Sequence, residues 1–243
     1  MNPGSDPDCT LEGGVARVFL ARPQKANALT SPMLEALERA LLALEGEPSL
    51  RVVVLGGRGN AFCGGADIQE LSGLDASTAG AFVGRIHAVC AAIRRLPVPV
   101  VARLHGAAIG GGLEIAAACD LRIAAPGTKF VMPEVRLGIP SVVEAALLPR
   151  LMGGGRAAWL VLTGEAIDAA RAQQWGLVEE VAQDLDAAVE RLVQSLLAGD
   201  KQALAAQKRL TQLWDEAPLA ESVGRSVELF ADAYRLASFR RPK

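Results

Sequence analysis

Residues 105–124 read HGAAIGGGLEIAAACDLRIA, and the order of features in this stretch decides the fold class. Val98–Leu104 ahead of it has the β-branched character of a strand and runs straight into glycine. Leu113–Cys119 is made of small and aliphatic residues and predicts a helix. Residues 121–125 (LRIAA) and 129–132 (KFVM) predict two further strands. A strand, a glycine turn, a helix and another strand in close succession argue for an α/β architecture with mostly parallel pairing.

The flanking sequence repeats this grammar. Towards the N-terminus, Val15–Leu20 predicts a strand, and residues 21–30 (ARPQKANALT) break it. Ser31-Pro32 has the form of an N-cap followed by proline at the first helical position, and Leu34, Leu37, Leu41 and Leu44 recur at helical spacing until Gly46 and Pro48. Arg51–Leu55 predicts a buried strand that opens into a second glycine-rich loop, GGRGNAFCGGADI, at residues 56–68. Phe82, Ile86, Val89, Cys90 and Ile93 mark another helix, closed by Pro97 and Pro99.

Beyond about residue 141 the pattern becomes helical: 142–153, 156–164, 167–176 and most of 185–239, with only Leu177–Val181 reading as a strand. A helical final third predicts a smaller subdomain or an oligomerisation arm. The domain division expected is an α/β core over 1–180 and a helical region over 181–243. The chain shows no internal repeat and no low-complexity tract.

Composition excludes several classes of function. Of the 243 residues, 51% are apolar and 21% charged, which supports a sizeable core and excludes a disordered chain. A net charge of −2 gives no electrostatic ground for nucleic acid or an anionic membrane as partner. Cys9, Cys63, Cys90 and Cys119 have no C-x-x-C spacing, and the two histidines, His87 and His105, are well separated, so neither a disulfide framework nor a metal site is expected. The opening residues are polar with no apolar core of a leader, and no apolar run is long enough for a bilayer. The expected compartment is the cytoplasm.

The candidate chemistry lies in three segments: Gly64–Ile68, Gly106–Glu114, and Met132–Glu134 with Leu137–Pro140. Glycines after a strand let backbone N–H groups approach a ligand closely, and the first amides of a following helix are unpaired. Two such loops can aim two N–H donors at one oxygen, forming an oxyanion hole. A phosphate cradle is the competing use of glycines. Leu113-Glu114 follow the glycines where a Walker loop needs Lys-Ser/Thr, and Ile115 occupies the third glycine position of the dinucleotide pattern. A glutamate at the site also repels phosphate. Taken alone, Glu114 is equally well explained as an acid favouring a helix dipole, worth about 0.3–1 kcal/mol. Glu134 alone reads as a solvated loop charge.

Together, residues 105–124 and 129–140 (KFVMPEVRLGIP) resemble the signature of the enoyl-CoA hydratase/isomerase (crotonase) superfamily, and Gly64–Ile68 resembles its partner loop. Residues 22–30 resemble the family's coenzyme A loop, and residues 175–181 its returning segment. The resemblance implies a crotonase-like spiral of repeated ββα units with a C-terminal trimerisation region. It implies an oxyanion hole from the amides of Ala66 and Gly111, and a thioester lined by Ala66, Asp67, Ile68, Gln69 and Gly111. Hydratases in the family use two glutamates, which match Glu114 and Glu134. No separate cofactor is implied, because coenzyme A arrives as part of the acyl-CoA substrate. The implied assembly is a homotrimer, or a hexamer built as a dimer of trimers.

That pattern makes chemical sense. Adding water across a trans-2 double bond needs one carboxyl for the water and one for the α-carbon proton, and two neighbouring carboxyls drive one pKa upward. A single acid suits allylic isomerisation. The sequence also departs from the family. Hydratases commonly continue L-G-x-I-P-G-x-G-G-T, whereas residues 137–144 here are LGIPSVVE. Ser141-x-x-Glu144 has the form of a capping box, with Glu144 as a third active-site acid the competing reading. Phe239, Arg240 and Arg241 are equally compatible with a nucleotide contact and a solvated end. His105 is expected to be a strand-end core residue, Cys63 lacks a partner base, and Trp159 and Trp175 read as packing. Hydration is the expected reaction. Another reaction on acyl-CoA (isomerisation or thioester hydrolysis), or a silent acyl-CoA- or RNA-binding role, is the alternative. A pI near 5.8 argues against RNA, and two retained acids argue against silence.

Overall fold

The computed structural model describes residues 6–235. Its main sheet begins with a hairpin that the sequence pattern does not signal: β1 (Asp8–Glu12) is exposed throughout and pairs antiparallel with β2 (Val15–Leu20). Helix α1 (Ser31–Glu45) follows, with its cap one residue earlier than expected. Thr30, in extended backbone, accepts from the Met33 amide, while the Ser31 hydroxyl bonds Glu70. Strand β3 (Val52–Gly57) leads through the glycine loop to α2 (Ile68–Ser72) and α3 (Ala79–Arg95). Next come β4 (Val100–Leu104), β5 (Ala107–Ile109), α4 (Gly111–Ala118), β6 (Leu121–Ala124) and β7 (Lys129–Val131).

The six-stranded sheet has the order β1-β2-β3-β4-β6 and then β9 (Glu180–Val181), parallel everywhere except at the first hairpin. A smaller sheet lies beside it, with β5 parallel to β7 and β7 antiparallel to β8 (Ile167–Asp168). Two isolated parallel bridges, Leu29 with Ala66 and Cys63 with Ala108, extend this second layer. Successive turns of chain therefore repeat one path: main sheet, second layer, helix. β2–Leu29–α1, β3–Cys63/Ala66–α3 and β4–β5–α4 stack as three such turns, which is the spiral of ββα units that the family resemblance implies.

Period-two alternation sorts β3 between two cores. Val53 and Leu55 pack with α1, α3 and α4, while Val52 and Val54 face Leu185, Ala188, Val189 and Val193 of α8 (Leu185–Ala198). Burial on both faces is why the strand reads as an unbroken apolar run. Because α8 covers the sheet, the packed body runs past residue 181. The helices that project from it are α9 (Lys201–Glu216) and α10 (Leu219–Arg235). Buried Lys208 fastens α9 to the end of α3, donating to the Ile93 and Val98 carbonyls and pairing with Asp120 at 2.8 Å.

Residues 142–153 are not one helix. They form a 3-10 turn, Val143–Leu147, followed by α5 (Leu148–Met152). Helices α6 (Gly154–Thr163) and α7 (Ala169–Trp175) follow as expected, with Trp159 and Trp175 packed edge to face at 5.4 Å. Phe239, Arg240 and Arg241 lie outside the described residues.

Candidate active site

The site forms where the second layer meets the helices behind it. Cys63 and Ala108 bridge, so the two glycine loops lie side by side, with Cys63 N–H donating to Ala107 O and Ile109 N–H to Cys63 O. On the other side Leu29 grips the 64–67 loop: its amide donates to Gly65 O, and its carbonyl accepts from Asp67 N–H. The amide between them, Ala66, donates no hydrogen bond among the described residues. The Gly111 amide, at the first position of α4, has no intrahelical acceptor and likewise stays unpaired.

Close packing requires two of the glycines. Gly110 has φ +50° and ψ −123°, and a Cβ there would lie 2.4 Å from Glu134 Oε1. A Cβ at Gly112 would meet the Cys63 side chain at 2.6 Å. That contact gives Cys63 a packing role. Burial pushes its thiol up to about 12, far from a reactive thiolate.

The helix that Gly110 starts carries Glu114 one turn in, 4% exposed, with Oε1 accepting from the Ala145 amide at 3.2 Å. Burial foremost, then repulsion from Glu134, and to a smaller degree from Glu144, raises its pKa to about 8. Glu134 begins the 3-10 turn Glu134–Leu137 and accepts from the Ser141 hydroxyl through Oε2 at 2.8 Å. The structure thus brings the two predicted acids together across Gly110.

Ser141 and Glu144 do not form a capping box. Ser141 is turned to Glu134, and the 3-10 turn over 143–147 has no side-chain cap. Glu144 points inward, buried, with Oε1 at 2.8 Å from His87 Nδ1. The swing requires Val143 at φ +40°, a conformation that β-branched residues rarely adopt. Sequence reasoning passed over His87 because the apolar stripe of α3 leaves it on the boundary of the buried face. Its place directly after Ile86, on the helix opposite 143–147, was the available signal. His105 is half-buried, donating from Nε2 to Gly59 O and accepting at Nδ1 from Arg103.

The residues expected to line the thioester separate. Asp67 is fully engaged in the fold: its carboxylate caps α2 through the Gln69 and Glu70 amides and pairs with Arg22 at 2.6 Å. Gln69 is exposed. Ile68 lines an apolar cavity of about 680 Å³ with Leu71, Leu74, Phe82, Val83 and Ile139. The described residues contain no cluster of side chains able to hold a metal ion, and no helix long and apolar enough to cross a membrane.

Glu114 carries a stability consequence with a definite sign. Its pKa is raised on folding, so its contribution is fully present below the unfolded value and is lost as pH rises towards about 8, a loss of roughly 5 kcal/mol. Glu114→Gln should therefore match the parent in thermal stability near pH 4.5 and exceed it increasingly up to pH 8. Melting temperatures across that range check the slope; a constant difference contradicts it.

The sequence profile of the enoyl-CoA hydratase/isomerase family matches residues 10–240. A crotonyl-CoA hydratase of Syntrophomonas wolfei is 34% identical over 232 residues, covering 93% of this chain and 86% of the relative. An enoyl-CoA isomerase/hydratase of Mycosarcoma maydis is 33% identical over 237 residues, covering 92% of this chain and 83% of the relative. The crystal structure of an enoyl-CoA hydratase from Thermoplasma volcanium superposes with a TM-score of 0.91 at 30% identity, covering 98% of both chains. The stacked ββα turns, the adjoining glycine loops and these similarities agree: the chain belongs to the enoyl-CoA hydratase/isomerase (crotonase) family.

Proposed function

We propose that the protein is an enoyl-CoA hydratase, a lyase that adds water across the trans-2 double bond of an acyl-CoA thioester. The observation that carries this reading is a pair of carboxyls brought together across Gly110, Glu134 and the buried Glu114, with burial and their mutual repulsion raising the pKa of Glu114. Beside them are two backbone amides, of Ala66 and Gly111, that are unpaired among the described residues. The Ala66 and Gly111 amides hold the thioester oxygen as negative charge develops on it. Glu134, steadied by Ser141, takes a proton from the attacking water, and Glu114 delivers one to the α-carbon. Asp67 holds the Ala66 loop in place, and the acyl tail enters the apolar cavity beyond Ile68. Coenzyme A is bound as part of the substrate, with no further cofactor. Incubation with a short trans-2-enoyl-CoA tests the reading: the conjugated thioester absorbance disappears if it is right and persists if it is wrong.

A second reading, double-bond isomerisation, is favoured by one observation. Ser141 and Glu144 stand where hydratases carry glycines, which places a third carboxylate near Glu114. A 3-enoyl-CoA would then gain conjugated absorbance in place of the 2-enoyl-CoA losing it.

We further infer a homo-oligomer with threefold symmetry. Leu219, Val223, Val227, Phe230 and Tyr234 lie exposed along α10, and Trp214 of α9 joins them, an apolar face too continuous for a solvated helix. Light scattering should report three or six copies at micromolar concentration; a stable monomer refutes the inference. The buried, unpaired thiols of Cys63, Cys90 and Cys119 fit a reducing compartment such as the cytoplasm.

A further inference from the structure

Glu144 is costly to place and is not explained by the two-acid reaction. Its side chain is 10% exposed, yet Oε1 alone has a close polar partner; Oε2 is buried with no well-formed hydrogen bond among the described residues, the Cys90 thiol being its neighbour. A buried, half-satisfied carboxylate is destabilising, as is the positive φ of Val143 beside it. The one partner, His87, has a side chain 61% exposed, so the pair spans the distance from the buried carboxyls to solvent.

Its surroundings point the same way. The Val143–Leu147 turn packs against α3, α4 and α5. From α4, Glu114 bonds the amide of Ala145, the residue next to Glu144. From α3 come His87 and the buried Cys90 thiol, whose proton affinity is raised by burial and then by both Glu144 and Glu114. The charge of α5, Arg150, lines a different cavity with Cys119 and Lys208. Among the described residues no Lys or Arg pairs with Glu144.

Resting on the enolate chemistry proposed above, we propose that Glu144 and His87 form a proton relay that connects Glu114 to bulk water. The α C–H bond of a bound acyl thioester breaks, its electron pair staying in the enolate and its proton going to Glu114. The proton passes between the neighbouring carboxyls to Glu144 and from Oε1 to Nδ1 of His87. The imidazole releases a different proton from Nε2 to water, since its two nitrogens serve as acceptor and donor. Reversal returns a solvent hydrogen to the α-carbon, with no oxidant or co-reactant. His87 and Glu144 are positioning residues for the proton, and neither touches the reacting carbon.

The test is α-hydrogen exchange of a saturated thioester, butyryl-CoA, in D2O, followed by mass spectrometry, with crotonyl-CoA hydration measured in parallel. Wild type should exchange. His87→Gln keeps a hydrogen-bond donor for Glu144 at an exposed position, and it should slow exchange by on the order of 10-fold or more in dilute buffer. Added imidazole should restore the rate. Glu144→Gln should slow exchange and not respond to imidazole, because the carboxylate link is gone. Unchanged exchange in His87→Gln, or slow exchange insensitive to imidazole, overturns the relay. A wild type that hydrates crotonyl-CoA without exchanging butyryl-CoA also overturns it and leaves the hydratase reading standing. Exchange without hydration, slowed in His87→Gln and restored by imidazole, supports the relay and removes the hydratase reading.

Discussion

Glu114→Gln and Glu134→Gln are each expected to lower hydration turnover by on the order of 1,000-fold, while binding of a saturated acyl-CoA stays nearly unchanged. Glutamine preserves the size of the side chain and its carbonyl oxygen. The Ala145 amide still finds an acceptor at 114, and the Ser141 hydroxyl still finds one at 134. What glutamine cannot do is exchange a proton. The double variant should be little worse than either single one, because removing one member already disables the unit. Stopped-flow turnover with a trans-2-enoyl-CoA, paired with calorimetric binding of butyryl-CoA, separates chemistry from affinity. Normal hydration by Glu134→Gln removes the assigned role and the hydratase reading with it. If one substitution is mild and 3-enoyl-CoA turnover follows the other glutamate alone, the reaction is isomerisation.

Gly111→Pro is expected to cost about 100- to 1,000-fold in turnover through loss of one oxyanion donor. Gly111 is the first residue of α4, where its N–H has no intrahelical partner, so proline removes no intrahelical hydrogen bond. Any Cβ at this position meets the Ile86 Cδ1 methyl at 2.9 Å, so some loss arises from crowding alone. Gly111→Ala measures that loss, since it adds the same carbon and keeps the N–H. The difference between the two variants isolates the amide. Equal turnover in both would mean that the Gly111 amide does not hold the thioester oxygen.

Much of the fold was legible because its signals are local. The valine run at 52–54 and the leucines at 34, 37, 41 and 44 each carry the period of their element. The β1 hairpin was not legible: Asp8–Glu12 is polar, exposed and held by pairing with β2. The 3-10 turn over 143–147 has the composition of a helix, and only its packing against α3 and α4 fixes the tighter path. The Thr30 cap differs from the expected Ser31 because Glu70, 39 residues away, takes the Ser31 hydroxyl.

The sequence by itself determined an α/β architecture and two glycine loops, since periodicity and glycine spacing are properties of neighbouring residues. The spiral, the candidate pair Glu114 and Glu134 and the candidate donors Ala66 and Gly111 came from the resemblance of those motifs to the crotonase superfamily. Only the tertiary structure decided that Asp67 is engaged with Arg22, that Ser141 serves Glu134, and that Glu144 turns inward to His87. Those three outcomes depend on which side chain arrives from a distant element. Glu144 and His87 are 57 residues apart, and a capping box and a buried hydrogen-bond partner are written with the same letters. The environment that raises Glu114 is likewise absent from any local pattern, because burial and the charges of Glu134 and Glu144 exist only once the 110–114, 134 and 144 segments converge.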